Sequence, residues 1–578
     1  MEELMPSHIT NEFKLVSPRS TVEIYLSDGR VMSGPRNAPI GDFFNSLHEL
    51  SDAPIVGAIV NGELRELTYP ICMDSNVQPI SMRDADGIRI YRRSLVFLLE
   101  AAFDQYYNSS DLRVEHSISS GGYFCRVISR PPLSQGELKE LESEMRSMVE
   151  QDIPFRREEI PIQEAIEYFE ENGKSDKAHL LLHRKKDYLT IYKMNDFWDY
   201  HHGYMVPSSS YLKWFHLTLT GEGFTLHFPR RQAPTKLLPL AEYPKLLHTF
   251  RLYKSWLDRL EISSVGALND AIIENRIDEV ILVSEALHEQ RISEIASQIS
   301  ARKGEIRVIM VAGPTSSGKT TFSKRLAIQL LASGVAPFPL AIDDYFIPRD
   351  QTPLDENGDP DFESIVAVDR KRLSRDLQQL IRGERVSIPA FNFITGESEE
   401  GKEIQLKSGE IIILEGIHGL NPELVPQFPS EQTFRIYISA LTQLNLDRHN
   451  RISTTDTRLI RRIVRDARER GYSAQDTIQR WESVRRGEKR HIFPYQENCD
   501  LMFNSALVYE LSALKSLAEP LLRQVPYGTP EHVEAKRLLS LLEWVLPLES
   551  DLIPDNSILR EFIGGSILRS FTLWHSNP

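Results

Sequence analysis

Hydrophobic and polar positions change their period several times along this 578-residue chain. From Thr21 to about Tyr91, short apolar runs (TVEIYLSDGR, APIVGAIVNGELREL and GIRIYRR) are punctuated by Asp28-Gly29, Asn61-Gly62 and Asp86-Gly87. That is the pattern of short strands joined by tight turns, and one helix is expected near Ile40 to Leu50. An apolar helix, SLVFLLEAAFDQYY, opens at Ser94, and SQGELKELESEMRSMVEQ spaces its Leu, Met and Val as an amphipathic helix does. The stretch from about Leu237 to Lys303 reads as a mostly helical connector. Strand and helix then alternate: IRVIMVA, a helix from Lys319 to about Ser333, FPLAI, a helix from Arg370 to Arg382, IIILE, FRIYIS and an Arg-rich helix. This alternation predicts a parallel sheet covered on both faces. From about Leu511 the pattern is helical, broken at Pro520 and Pro526.

The length corresponds to about four domains at roughly 150 residues each. The boundaries fall at 1–92, 93–235, 236–304, 305–510 and 511–578. The chain carries 67 Lys and Arg against 82 Asp and Glu, a net charge of −15. That balance argues against a surface that wraps nucleic acid as a whole but leaves room for a local basic site. Cys72, Cys125 and Cys499 have no paired spacing, so they read as reduced thiols. The start, MEELMPSHITNEF, lacks a basic flank before an apolar core, and no apolar run approaches about 20 residues. A cytoplasmic location without a membrane span is expected.

The strongest chemical signal is Gly313, Pro314, Thr315, Ser316, Ser317, Gly318, Lys319, Thr320, with Thr321 after it. It fits G-x-x-x-x-G-K-[ST] between a strand and a helix. Glycines let backbone N–H groups curl around phosphate oxygens, and the positive helix end adds favourable charge. Lys319 would reach the outer phosphates and Thr320 would ligate Mg²⁺. A ligand-free Gly-rich turn is the bland reading.

Asp343 and Asp344 follow the run FPLAI, which puts them at the carboxyl end of a parallel strand, where open α/β sheets bind ligands. A carboxylate there can take the proton of an attacking hydroxyl, although an Asp at that place can also simply cap a turn. Glu415 ends IIIL, a position suited to holding Mg²⁺ directly or through water, or to an acidic cap. In TRLIRRIVRDARERGY, Arg458, Arg461, Arg462 and Arg465 share one helical face, with Arg468 and Arg470 beyond. Beside a phosphate loop such a helix reads as a lid that neutralises the transferring group. By itself it would read as a solvated charged face.

The block from about Ile306 to Asn504 resembles the uridine kinase and phosphoribulokinase family of P-loop kinases. GPTSSGKTT, IDDYF, PDFESIVAVD, IPAFNF, ILEGI and RRIVRDARERG carry the resemblance. It implies transfer of the γ-phosphoryl group of ATP to the 5′-hydroxyl of uridine or cytidine, with Mg²⁺. By position it makes Asp343 the general base, Lys319 and Thr320 holders of phosphate and metal, and Glu415 a support for the metal. Arg465 and Arg470 become the lid arginines on the phosphates. Glu363 approaches the ribose hydroxyls, and Tyr345, Phe391 and Phe393 line the acceptor site. Two departures stand out: Ser364 and Ile365 replace a His-Pro, and Gly396 stands where a base-binding histidine would lie.

The first 230 residues resemble the amino-terminal part of threonyl-tRNA synthetase, a β-grasp TGS domain followed by an α+β editing-type domain. RDADGIRIYRRS, RPPLSQGELKELESEM, PFRREEI and DYHHGYMVPSS carry this. Where editing domains of that family hold histidines and a cysteine, this chain has Arg93, Phe97, His201 and Met205, so loss of editing is expected, with His201 and His202 as surface or packing residues. The fold class is therefore multidomain α/β and α+β, a parallel-sheet kinase domain preceded by these two modules.

Three functional readings stay open: a nucleoside 5′-kinase, a nucleotide-operated switch that binds RNA or a partner, and a kinase of a phosphorylated sugar. The expected partners are a nucleoside, a weak RNA contact through the amino-terminal half, and a second copy of the chain.

Overall fold

The computed structural model describes residues 17–46, 53–107, 110–118, 120–355, 358, 360–392 and 395–571. The opening segment to Val16, residues 47–50 at the end of the expected first helix, and Phe393 therefore lie outside the described residues.

The first unit is a mixed sheet of β1 (Thr21–Leu26), β2 (Val31–Pro35), β3 (Ile55–Val60), β4 (Glu63–Arg65) and β5 (Ser75–Ser81), in the order β2-β1-β5-β3-β4. β1 and β5 run parallel and the other pairs antiparallel. The alternating residues Val22, Ile24 and Leu26 pack against helix α1 (Ile40–Asn45), as a half-buried strand requires.

GIRIYRR is not a strand. It lies inside α2 (Ala85–Tyr107), which begins nine residues before Ser94 and crosses the expected boundary at residue 92. Ile88, Tyr91, Leu95 and Leu98 recur at helical spacing and are buried. Asp86-Gly87 is the first helical turn, and Gly87 is required because a Cβ there would lie 1.9 Å from the Ser81 carbonyl oxygen.

The second unit has two antiparallel sheets. One is β6 (Asp111–Ile118), β7 (Gly122–Ile128), β11 (His216–Thr220) and β12 (Gly223–His227); the other is β8 (Arg156–Pro161), β9 (Tyr188–Met194) and β10 (Phe197–Asp199). Around them lie α3 (Gln135–Glu150), α4 (Ile162–Glu171) and α5 (Ser175–Leu182). α3 is the expected amphipathic helix, opened by a Ser134/Glu137 capping box, with Leu138, Leu141, Met145 and Met148 buried.

The connector forms α6 (Pro244–Arg259), α7 (Val265–Ile273) and α8 (Ile277–Ala301). The parallel sheet follows: β13 (Val308–Ala312), β14 (Pro337–Ala341), β17 (Ile411–Glu415), β18 (Thr433–Ser439) and β19 (Leu501–Asn504), in the order β14-β17-β13-β18-β19, every pair parallel. A hairpin, β15 (Arg385–Asn392) with β16 (Glu397–Gln405), stands beside it. The helices are α9 (Lys319–Ala332), α10 (Arg370–Ile381), α11 (Thr454–Glu469), α12 (Ala474–His491), α13 (Glu510–Arg523), α14 (Pro530–Leu542) and α15 (Arg560–Ile563). Pro520 does not break α13; it sits on the exposed side of a continuous helix, whereas Pro526 does lie between helices. One continuous core joins α4, α5, the connector, the parallel sheet and the carboxyl-terminal helices.

Buried histidines tie this core to pH. His116, His202 and His288 are pushed down to about 3 and His418 to about 4, chiefly by burial. Unfolded, each would titrate near 6.5, so the unfolded chain takes up more protons between those values and stability falls on acidification. Glu363 and Glu415, raised to about 7, pull the other way, as do the raised Asp343, Asp344, Glu510 and His449. The imidazole contribution is therefore read from a variant: the urea midpoint of His288→Gln is expected to fall less from pH 7 to pH 5 than that of the wild type, and an identical pH dependence would contradict the burial of this imidazole.

Candidate active site

All five residues of β13 are buried, and the chain leaving it has no room for side chains. A Cβ on Gly313 would lie 1.9 Å from the Ile438 carbonyl oxygen. Ser316 (φ 57°) and Gly318 (φ 82°) both take left-handed backbone, which folds successive amides to one side. Among the described residues, no protein acceptor takes the N–H of Ser316, Ser317, Gly318, Lys319 or Thr320.

The loop's carbonyls are held instead. Arg458 Nε donates to Thr315 O at 2.9 Å, Arg461 Nη1 to Ser316 O at 3.4 Å, and Ser505 Oγ to Ser317 O at 2.5 Å. Both arginines are essentially buried and ion-paired, Arg458 with Glu488 and Arg461 with Glu510. Despite burial, Arg458 and Arg485 hold the Glu488 carboxyl below its ordinary value. Arg458 and Arg461 thus pin the loop from behind, and the shared lid face read from the sequence splits into two buried anchors and two outer arginines. With its carbonyls tied back, the loop presents donors forward.

On that forward side, Thr320 Oγ1 donates to Glu415 Oε1 at 2.9 Å, and Lys319 Nζ folds onto Pro314 O at 3.2 Å. Glu415 ends β17, Asp343 follows β14, and the two strands pair with Ala341 opposite Glu415. Both carboxyl groups therefore face one recess. Burial raises Glu415 to about 7 against the opposing charge of Lys319. Burial also raises Asp343, opposed by Lys319 and Arg470. Glu363, beside Gly487 of α12, is raised to about 7 by burial and by Glu488.

Several carboxyl groups held above their usual range around one recess fit the binding of a cation. Ser316 Oγ, Ser317 Oγ and Glu363 Oε2 are buried without a hydrogen-bond partner. Together with the open amides they fit a polyphosphate with its Mg²⁺, Thr320 and Glu415 being the residues that would hold the metal.

The other expected site residues divide. Arg465 and Arg470 both bind the buried Asp466 at the end of α11, at 2.9 and 3.5 Å, and Arg470 also acts on Asp343. Tyr345 is not in the recess: its ring packs in the core under α10, with its hydroxyl toward Asp376. Phe391 is likewise a core residue, edge-on to Phe346 with centroids 5.7 Å apart. Strand alternation along β15 turns its ring toward the core.

In the second unit, Phe97, His201 and Met205 are buried as packing residues, with Arg93 half-buried beside them. Arg93 donates to Tyr204 O at 2.5 Å, and Phe97 lies edge-on to His201. His201 is buried and His202 half-buried; Trp544 donates to His202 Nδ1 at 3.2 Å. The segment between β18 and α11 inserts here. His449 stands 3.1 Å from Glu100 and 3.6 Å from Asp199, and Arg448 binds Asp111 and Asp176. Glu100, Asp199 and His449 could converge on a cation, but Lys177 Nζ already serves Asp199 at 2.6 Å. Nothing in the spacing of these distant residues announced the cluster. A cavity of about 250 Å³ between this unit, α6 and residues 443–448 contains no loop residue and is separate from the recess.

Residues 308–512 match the Phosphoribulokinase / Uridine kinase family. That part of the chain is a P-loop kinase domain of this family. The amino-terminal part is homologous to threonine–tRNA ligases. It is 27% identical over 193 residues to that of Desulforamulus reducens (33% of this chain, 30% of the relative). The identity is 31% over 197 residues to that of Halorhodospira halophila (34% and 30%). The chain spans about 30% of the length of these curated relatives. Similar solved structures include a possible uridine kinase from Bacillus stearothermophilus, 24% identical, covering 26% of this chain and 79% of that one, with a TM-score of 0.22. Another is D-glycerate 3-kinase from Cryptococcus neoformans, 16% identical, covering 46% and 89%, with a TM-score of 0.21.

The kinase domain's anchoring arginines are separable from its surface arginines by stability. Arg458→Ala leaves Glu488 buried without its main partner and is expected to cost about 3–5 kcal/mol. Arg382→Ala, removing a side chain 68% exposed, should stay within about 0.5 kcal/mol. Urea denaturation measures both, and equal effects would refute the anchoring role.

Proposed function

We propose that the chain is a kinase that transfers the γ-phosphoryl group of ATP to the 5′-hydroxyl of a nucleoside, with uridine the leading acceptor and cytidine or another pyrimidine nucleoside next. The observation that carries this reading is the position of Asp343, at the end of β14 and close enough to Lys319 and Arg470 for both charges to act on it. A carboxylate so placed accepts the proton of the attacking hydroxyl as its oxygen bonds to the γ-phosphorus and the bond to ADP breaks. Lys319 and Arg470 neutralise charge on the group in flight. Thr320 and Glu415 would hold Mg²⁺, which would supply positive charge against the phosphates. Glu363, recessed and lacking a partner for Oε2, suits ribose hydroxyl donors.

A second reading, a phosphorylated sugar as acceptor, is favoured by one specific observation. Phe391 is buried in the core while Arg462, Arg465 and Arg470 gather around the single carboxylate of Asp466 at the end of α11, an excess of positive charge. A screen of ribonucleosides, deoxynucleosides and phosphorylated sugars with Mg·ATP, following ADP release, separates the two. Turnover on more than one nucleoside, led by uridine, is expected, because the base-edge histidine is replaced by Gly396. Turnover on phosphorylated sugars alone supports the second reading. Hydrolysis with no acceptor points to the nucleotide-operated switch.

Asp343→Asn should lower kcat about 10²- to 10⁴-fold with nucleotide affinity little changed. A larger loss in Asp344→Asn would move the base to the neighbouring residue. For the amino-terminal half we infer a binding or positioning role without ester hydrolysis, supported by the guanidinium and apolar side chains that fill its pocket. Hydrolysis of seryl-tRNA by the full chain above background would refute that inference.

A further inference from the structure

The carboxyl-terminal segment does not end beside the kinase domain; it runs onto the phosphate loop. After α14 the chain folds back, and Glu561, on α15, reaches the first turn of α9. There Glu561 Oε2 accepts both from the Thr321 N–H at 3.1 Å and from Thr321 Oγ1 at 2.9 Å. The two partners are 240 residues apart in sequence, so this is no local helix cap. Thr321 N–H is the last amide of the loop and first turn without an acceptor inside α9, since Phe322 already bonds to Gly318 O. Phosphate-loop proteins use amides of this series to cradle the nucleotide's phosphates, favoured by the positive helix end. Here one of those donors, with its own hydroxyl, is occupied by a carboxylate.

The surrounding contacts hold the segment in place. A Cβ on Gly318 would lie 2.6 Å from Ile558 Cγ2, so the segment presses directly on the loop. Phe562 is fully buried beneath the Arg461 guanidinium at 4.9 Å. Lys324 of α9 donates to Leu568 O at 2.8 Å. Arg468 of the lid helix donates to Glu561 O at 3.0 Å. After Glu561 come Gly564 (φ 92°) and Gly565 (φ 73°), which let the backbone turn where other residues would strain.

We propose that this segment, Ile558 to Ser570, is an autoinhibitory latch in which the Glu561 carboxylate stands in for a phosphate of the nucleotide. A phosphate and a carboxylate cannot share the Thr321 donors, because two anions at one helix end repel. Nucleotide entry therefore displaces Glu561. Displacement also reaches α11, because Arg468 holds the carbonyl of the same residue, Glu561.

The proposal rests on the reading above only in taking the loop as a nucleotide site. The test is calorimetric titration of the full chain with Mg·ADP, comparing wild type, Glu561→Gln and Lys319→Ala, with hydrogen exchange followed on residues 557–570. Glu561→Gln removes the charge and keeps the side chain's size, so folding is preserved. At least tenfold tighter binding in that variant is expected, together with faster exchange of residues 557–570 when nucleotide binds to wild type. Equal or weaker binding in Glu561→Gln, or a segment more protected with nucleotide bound, would overturn the latch while leaving the kinase reading intact. No Mg·ADP binding by wild type or Glu561→Gln would overturn both.

Discussion

Two buried guanidinium groups decide the shape of the phosphate loop. Arg458 and Arg461 sit one turn apart on α11, and each spends its charge on a buried carboxylate, Glu488 or Glu510. Their remaining donors go to the loop carbonyls of Thr315 and Ser316. A peptide group whose oxygen is fixed on one side must present its N–H on the other, so the ion pairs set the direction of the donors in front. Buried ion pairs are poor contributors to net stability, because desolvation offsets their attraction. Their return here is orientation. The same arrangement couples the loop to α12 and α13, which supply Glu488 and Glu510, and so brings helices remote from the nucleotide into its binding site.

The electrostatics in front of the loop are the complement of those behind it. Behind, each carboxylate has its guanidinium and is held ionised or compensated. In front, Asp343, Glu363 and Glu415 crowd a recess in which Lys319 and Arg470 do not fully balance them, and burial pushes all three upward. A site with this imbalance gains most from a ligand that brings its own positive charge, which is what a nucleotide carrying a divalent cation does.

The legible parts of the sequence were those whose signal is local. Four of the five parallel strands and the helices after Lys319 and Arg370 follow from apolar runs and their punctuation, and the phosphate loop from four residue positions. GIRIYRR misled because Ile88 and Ile90 alternate like strand residues, while Tyr91, Leu95 and Leu98 show the helical period only when a longer window is taken. Phe391 misled because an aromatic side chain in a binding phrase and one in a core look alike until the strand's inward face is known. The carboxylates facing Arg458 and Arg461, the insertion of His449 beside Glu100, and the reach of Glu561 to Thr321 were invisible for one reason. Each joins positions separated by at least 30 residues, with no spacing rule to connect them.

The insertion of residues 445–452 into the second unit has an architectural consequence. The segment leaves β18 in the kinase domain, places His449 among Glu100 and Asp199, lends Asp447 to the Tyr200 hydroxyl, and only then turns into α11. The buried carboxylates Glu100 and Asp199 of the second unit are therefore met by the chain that leads into α11. Separating the two halves would leave charged groups on both cut faces without their counterparts, so the fusion cannot be reversed by cutting at a linker. The ligase-like module is the footing on which α11 is mounted, and a molecule that loosened this footing would reach the phosphate loop without touching it.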